Sequence, residues 1–248
     1  MKKIILGVFL VIVLTLLFHF RFTDTNVGAP PNGVSESEVP LGPFDRYKNW
    51  SRPNVPAKVG LQVGHWNNSE LPDELSKLHG NTGAEGGGKS EWEVNFAIAE
   101  STATFLEDQG VEVDILPATV PEEYWADVFL AIHADGSTDT TKSGYKFASP
   151  WKDLTNDSEL LVSLLESKYE EYTHLENDPN ITKNMRGYYA FSWWRYDHAI
   201  HPLTTAAIAE TGFLTNASDR KIIVDNPEVP AQAISEAILI YLRNEGLL

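Results

Sequence analysis

The sequence predicts an α/β protein, a sheet covered by helices on both faces. Strand-like and helix-like segments alternate along the chain, the pattern of elements layered around one sheet. The run Phe129-Leu130-Ala131-Ile132 is apolar at every position, which marks a central, parallel strand buried on both faces. That run ends on His133-Ala134-Asp135-Gly136, and in open α/β sheets ligands gather where strands deliver their carboxyl ends. A lone histidine there is equally a core residue bonded to a carbonyl, so its meaning depends on what other segments bring to the same rim.

The chain has 248 residues, 42% of them hydrophobic, which suits one sizeable core. Its formal net charge of −16 speaks against a nucleic-acid partner, which needs clustered Lys and Arg. There is no cysteine. Disulfides, thiolate ligands and a lipid-modified N-terminal cysteine are therefore excluded, and a metal site has to be built from His, Asp and Glu.

In chain order, Lys2 and Lys3 precede an apolar run from Ile4 to Phe18. Residues 1–22 read as an export segment, a signal peptide or an uncleaved anchor, and the lack of a small-x-small cleavage site close behind favours the anchor. At ~1.5 Å per residue, Ile4 to Phe20 spans about 25 Å, workable with local thinning of the bilayer. The lysines would stay in the cytoplasm and the rest would lie outside. Residues 23–53, with Pro30-Pro31-Asn32-Gly33 and Pro40-Leu41-Gly42-Pro43, read as a linker. The folded domain is placed at 54–248.

That domain opens with a strand, Lys58 to Val63, running into Gly64-His65-Trp66. After a loop rich in Gly and Asn, helical spacing begins at Glu91, with Ser90 as N-cap and Glu93 completing a capping box. Glu91 sits in the first turn, where a carboxylate either complements the helix dipole or serves as a ligand. Gly110 ends the helix; Val111 to Leu116 and Val128 to His133 read as strands, and Gly144 to Phe147 as a strand or hairpin arm. Leu154 to Tyr172 reads as an amphipathic helix with Leu160, Leu161, Leu164 and Leu165 inward. The aromatic run from Tyr188 to Tyr196, including Trp193 and Trp194, reads either as a groove wall or as a core edge. His198 and His201 rank as alternative metal or acid/base residues, since no strand delivers them. Ala206 to Glu210 is a small-residue strand ending on a carboxylate, which needs partners if buried. Asn216 caps the next helix, and Pro230 to Leu242 forms the last one.

Two histidines and two glutamates thus stand at element ends along one rim, the donor types of a catalytic zinc site. Gly64-His65, Gly83-Ala84, Glu91 before Val94-Asn95, Ile132-His133-Ala134-Asp135 and Glu210-Thr211-Gly212-Phe213-Leu214-Thr215-Asn216 resemble, in order, the motifs of the zinc-dependent N-acetylmuramoyl-L-alanine amidases of bacterial cell walls. The resemblance runs from about Val59 to the C-terminus. It implies a twisted mixed, mainly parallel sheet between helices, His65, Glu91 and His133 as zinc ligands, and Glu210 as the catalytic glutamate. It further implies peptidoglycan as substrate, cut at the amide joining N-acetylmuramic acid to L-alanine, by an exported, envelope-located monomer. Trp66 replaces a usual glycine, the connection from Leu116 to Asp127 lacks the usual threonine-arginine and helix, and the aromatic segment is unusual. A zinc amidase or peptidase acting on another amide is the main alternative; a binding module without catalysis would be expected to lose one of the four residues, and none is lost.

Overall fold

The computed structural model describes residues 47–69 and 71–248. The chain divides into two compact units, Met1–Trp50 and Ser51–Leu248. Of the first, residues 47–50 are described and form a turn closed by the Trp50 N–H on the Tyr47 carbonyl (3.1 Å). The apolar run from Ile4 to Phe18, read above as part of a signal peptide or anchor, lies outside the described residues, as does most of the 23–53 linker. No helix among the described residues is long and apolar enough to cross a membrane.

In the second unit the strands are β1 (Lys58–Val63), β2 (Glu85–Gly86), β3 (Lys89–Ser90), β4 (Glu112–Leu116), β5 (Val128–Asp135), β6 (Lys146–Ala148) and β7 (Thr205–Phe213). The helices are α1 (Glu91–Glu107), α2 (Ser158–Thr173), α3 (Lys183–Arg186), α4 (Ala217–Ile223) and α5 (Glu228–Asn244). The main sheet has the order β4-β1-β5-β7-β6. Its first four strands are parallel and β6 is antiparallel to β7, so the sheet is mixed and mainly parallel, as the sequence predicts. β2 and β3 form a separate small hairpin leading into α1.

Alternation along each strand sorts the side chains onto two faces. Val59, Leu61, Val63, Leu130, Ile132, Ala207 and Ala209 face the long helices, where Val94 and Ile98 of α1, Leu161 and Leu165 of α2, and Ile234 and Ile238 of α5 complete the core. Each buried Val, Leu or Ile among these contributes about 1.5–3 kcal/mol. Phe129, Ala131, Ala206 and Ile208 point the other way, onto Val120, Tyr124, Met185 of the one-turn helix α3, Tyr189, Phe191 and Ile200. Long helices thus cover one face, and short turns with aromatic side chains cover the other. One sequence expectation changes here, and one open alternative is decided. Leu160 faces solvent, because α2 begins at Ser158 and its buried stripe runs through Leu161, Val162 and Leu165. Most of the aromatic run is core: Tyr189, Phe191 and Trp193 are buried, whereas Trp194 is exposed.

The parallel pairing matters most for function. Val63 of β1 lies beside Ile132 of β5, and His133 beside Glu210 of β7. The carboxyl ends of all three strands therefore share one rim. Between His133 and Asp135 the register of β5 against β7 shifts, an irregularity of the kind that re-aims side chains next to sites.

Candidate metal centre

His65 follows β1 in a turn and has φ of 64°, a left-handed conformation uncommon for a residue with a Cβ. Gly64 before it is required by space, since a Cβ there would lie 2.4 Å from Cε1 of His133. Glu91 enters from the opposite layer as the first residue of α1, whose start is fixed by the Glu93 carboxylate accepting from the Ser90 N–H (2.9 Å). One Glu91 oxygen, Oε2, accepts from the Ala84 N–H (2.7 Å), and Oε1 accepts from the Ala134 N–H (3.2 Å). A Cβ on Gly83, whose φ is 74°, would fall 2.1 Å from Oε2, so the loop can wrap this carboxylate only as glycine. The carboxylate is held by backbone donors and is buried.

Around Oε1 the two histidines close in: Nδ1 of His133 at 2.9 Å and Nε2 of His65 at 3.4 Å. One ligand atom from each of the three residues lies within 4.8 Å of the others. The partners of the far ring nitrogens decide which atoms carry lone pairs. Nδ1 of His65 faces the Asn81 carbonyl (2.8 Å), which only accepts, so that nitrogen carries the hydrogen and Nε2 is left bare. Nε2 of His133 faces the Tyr188 hydroxyl (3.4 Å). That hydroxyl donates to Oε1 of Gln62 (2.9 Å), and the orientation of Gln62 is set by its Nε2, which donates to the Ala118 carbonyl (2.9 Å) and to the Tyr189 hydroxyl (2.9 Å). With its one proton committed, the Tyr188 oxygen can only accept from His133, which places the hydrogen on Nε2 and leaves Nδ1 bare. Three lone-pair atoms therefore converge, and protons or one cation must lie among them. A tetrahedral zinc with bonds of about 2.0–2.2 Å spaces its ligands about 3.3–3.6 Å apart, near the 2.9 and 3.4 Å between each histidine nitrogen and Oε1, so the donor set fits a metal.

The electrostatics agree with that placement. Burial raises the Glu91 carboxyl, but the hydrogen bonds and charges of His133 and His65 outweigh it and hold the group well below the ordinary carboxylate range. For His65 burial works against the imidazolium, yet Glu91 and the Asn81 carbonyl leave it raised overall. Glu210 behaves oppositely. Burial, then the negative charges of Glu91 and Asp135, push its carboxyl well above the ordinary range, only partly countered by Lys146. It stands between His133 on one neighbouring strand and Lys146 on the other. His65, Glu91, His133 and Glu210 line one cavity of about 490 Å³, together with Asp135 and Thr215.

The structure brings together all four residues singled out in the sequence. His198 and His201 lie elsewhere: His198 is bonded through Nδ1 to Glu74 (2.9 Å), and His201 is buried with Nδ1 accepting from the Leu203 N–H (3.2 Å). Asp135, two residues after His133 on β5, borders the cavity but is ion-paired to Lys146, which also meets Asp178 (3.2 Å). Sequence reasoning passed over Gln62, Tyr188 and Lys146. Gln62 was legible as the one polar residue in the interior of an otherwise apolar strand, but its partner comes from a segment 126 positions away.

A family model described as N-acetylmuramoyl-L-alanine amidase matches residues 59–239, a span that contains all four site residues. Among solved structures, the N-acetylmuramoyl-L-alanine amidase from Clostridium difficile 630 aligns over 77% of this chain and 99% of its own, with a TM-score of 0.54 and 20% identity. AmiC2 of Nostoc punctiforme aligns over 75% and 97%, with a TM-score of 0.53 and 17% identity. Ami1 from Mycobacterium smegmatis aligns over 76% and 97%, with a TM-score of 0.56 and 13% identity. At these identities the structural likeness speaks for the fold. No curated protein matches the chain in sequence. With nearly three quarters of its residues matched by the family model, and with the mixed sheet those structures share, the chain belongs to the N-acetylmuramoyl-L-alanine amidase family.

Proposed function

We propose that this chain is an exported zinc amidase in which His65, Glu91 and His133 hold the metal and Glu210 moves the proton. As a family member it is a hydrolase of peptidoglycan, acting on the amide between N-acetylmuramic acid and L-alanine. The observation that carries the assignment of residues is the convergence of bare Nδ1, bare Nε2 and a carboxylate oxygen at one point. Bound there, zinc would supply a Lewis acid for the scissile carbonyl and lower the pKa of water to about 7.

The protein's own part is proton handling. Glu210, whose carboxyl is raised in the metal-free fold by burial and by the charges of Glu91 and Asp135, would accept the proton of the attacking water. Once protonated, it keeps the proton long enough to deliver it to the leaving amine. Asp135 is less suited, because Lys146 neutralises it. The organisation proposed is an export segment over 1–22, a linker over 23–53 and the catalytic domain over 54–248. The double lysine before an unbroken apolar run and the extracytoplasmic substrate support that order.

The test is product analysis on purified cell wall beside metal analysis of the protein. Free amino groups on L-alanine should appear at the rate that wall is solubilised, with close to one zinc per chain. New reducing ends or other free amino termini, with zinc present, would instead favour a hydrolase of a different wall bond.

A further inference from the structure

The cavity at the metal centre does not end at Glu210. It shares Asp135 and Gly136 with a second cavity of about 410 Å³, and the second shares Thr182 with a third of about 380 Å³. Strand β6 and the loop leading into α3 line both of the outer two, Lys146 and Asp178 in the second, Phe147 and Ile181 in the third. Because β6 runs antiparallel to β7, with Lys146 opposite Glu210 and Ala148 opposite Ile208, the path leads from the reaction centre along the edge of the sheet.

The far end of this path carries Trp151, 57% exposed. An exposed indole ordinarily wastes apolar surface and rotates freely, whereas this one is fixed. The Arg186 guanidinium lies 4.8 Å from the ring centre and is itself bonded to Glu159 (2.9 Å) and to the Ser149 hydroxyl (3.1 Å). The next residue, Lys152, places its ammonium 3.9 Å from the ring centre of Trp194, itself 43% exposed. Rings already held in place lose little side-chain entropy on binding. Arg186 and Glu159 cancel as an ion pair, and Glu166 and Lys183, which also line the cavity, are opposite in sign, so the indole surface carries little net charge and has the Glu159 carboxylate at its edge.

We propose that the third cavity is a glycan subsite, taking a neutral N-acetylated pyranose of the strand next to the muramic acid being cut; this rests on the amidase reading. A pyranose presents axial C–H groups on one face, which suit the electron-rich face of an indole, and hydroxyls at its edge for the exposed Glu159 carboxylate. The charges lining the cavity, Arg186 and Lys183 against Glu159 and Glu166, sum to zero, so it carries no net charge to attract a charged stem peptide. The groove then reads an unbroken strand, with the peptide amide at the metal and the sugar at Trp151.

The probe is a β-1,4-linked tetramer of N-acetylglucosamine, which has neither peptide nor lactyl group, titrated calorimetrically against the full protein. Saturable binding is expected, weakened about tenfold by Trp151→Ala and largely kept by Trp151→Phe, which retains a flat ring. In turnover, Trp151→Ala should lower kcat/KM on long peptide-bearing strands about tenfold relative to a single disaccharide-peptide. No binding of the tetramer, an equal change on both substrates, or binding of free stem peptide at Trp151 would each overturn the proposal. If neither wall substrate is cut, the amidase reading fails instead, and the sugar titration still decides the subsite.

Discussion

Replacing Tyr188 with phenylalanine removes a single oxygen, and the structure says what that oxygen does. It accepts from Nε2 of His133 at 3.4 Å and donates to Gln62 at 2.9 Å, so it both fixes the imidazole hydrogen and satisfies a fully buried amide. Two separate losses are expected. Leaving Oε1 of Gln62 without a donor costs about 1–3 kcal/mol of stability in the metal-free protein. Losing the outer partner of a metal-bound histidine costs 10–100-fold in metal affinity; since the bond is long, the lower end applies, about tenfold or ~1.4 kcal/mol. Urea unfolding of the metal-free protein reads the first, and competition for zinc against a chromophoric chelator reads the second. A companion variant, Gln62→Met, frees the Tyr188 proton to be donated to His133, which favours the hydrogen on Nδ1 and blocks that atom as a ligand. It should weaken zinc binding when Tyr188 is present and add little in the Tyr188→Phe background. Tyr188→Phe with undiminished zinc affinity, or strictly additive effects of the two changes, would refute the reasoning.

Glu210→Gln should keep zinc while losing ~10² to 10⁴ in rate, because it removes a proton carrier and leaves the ligands in place. Since burial and neighbouring charge disfavour the Glu210 carboxylate in the fold, the same change should raise the thermal midpoint of the metal-free protein at neutral pH, as differential scanning calorimetry would show. For pH, the depressed Glu91 carboxyl stabilises the metal-free fold above its unfolded value of about 4.3, and the raised His65 does so below about 6.5 and loses the effect as pH rises through its folded value. The His–Glu cluster therefore favours the metal-free fold most between those limits, whereas zinc, needing bare ligands, should add more stability at pH 8 than at pH 5.5; melting with and without zinc at both values checks the sign. Trp193→Ala, at a site 7% exposed, should cost about 3–5 kcal/mol in chemical unfolding, and Trp194→Ala, at 43%, should cost much less; equal costs would mean the two rings share one environment.

The sequence by itself determined the elements and the residues at their ends. An apolar run closing on His133, a small-residue strand closing on Glu210, a strand running into Gly64-His65 and a capping box at Ser90 are local patterns. Local patterns are legible because backbone propensity and burial period act within a few residues. Which strands lie side by side was not written in any one segment. The order β4-β1-β5-β7-β6 sets His65 beside His133, and His133 beside Glu210, through pairings between positions far apart in the chain. The same holds for the tautomer of His133, decided by Tyr188 and Gln62, and for the raised carboxyl of Glu210, decided by burial and then by Glu91, Asp135 and Lys146. Leu160 turned outward and Trp193 inward for the same reason: amphipathic spacing fixes that a stripe exists, but its rotation about the helix or loop is chosen by the surface it packs against. The proposed ligands can therefore be named from the sequence, whereas their chemistry, the state of each proton and charge at the site, is a property of non-local packing.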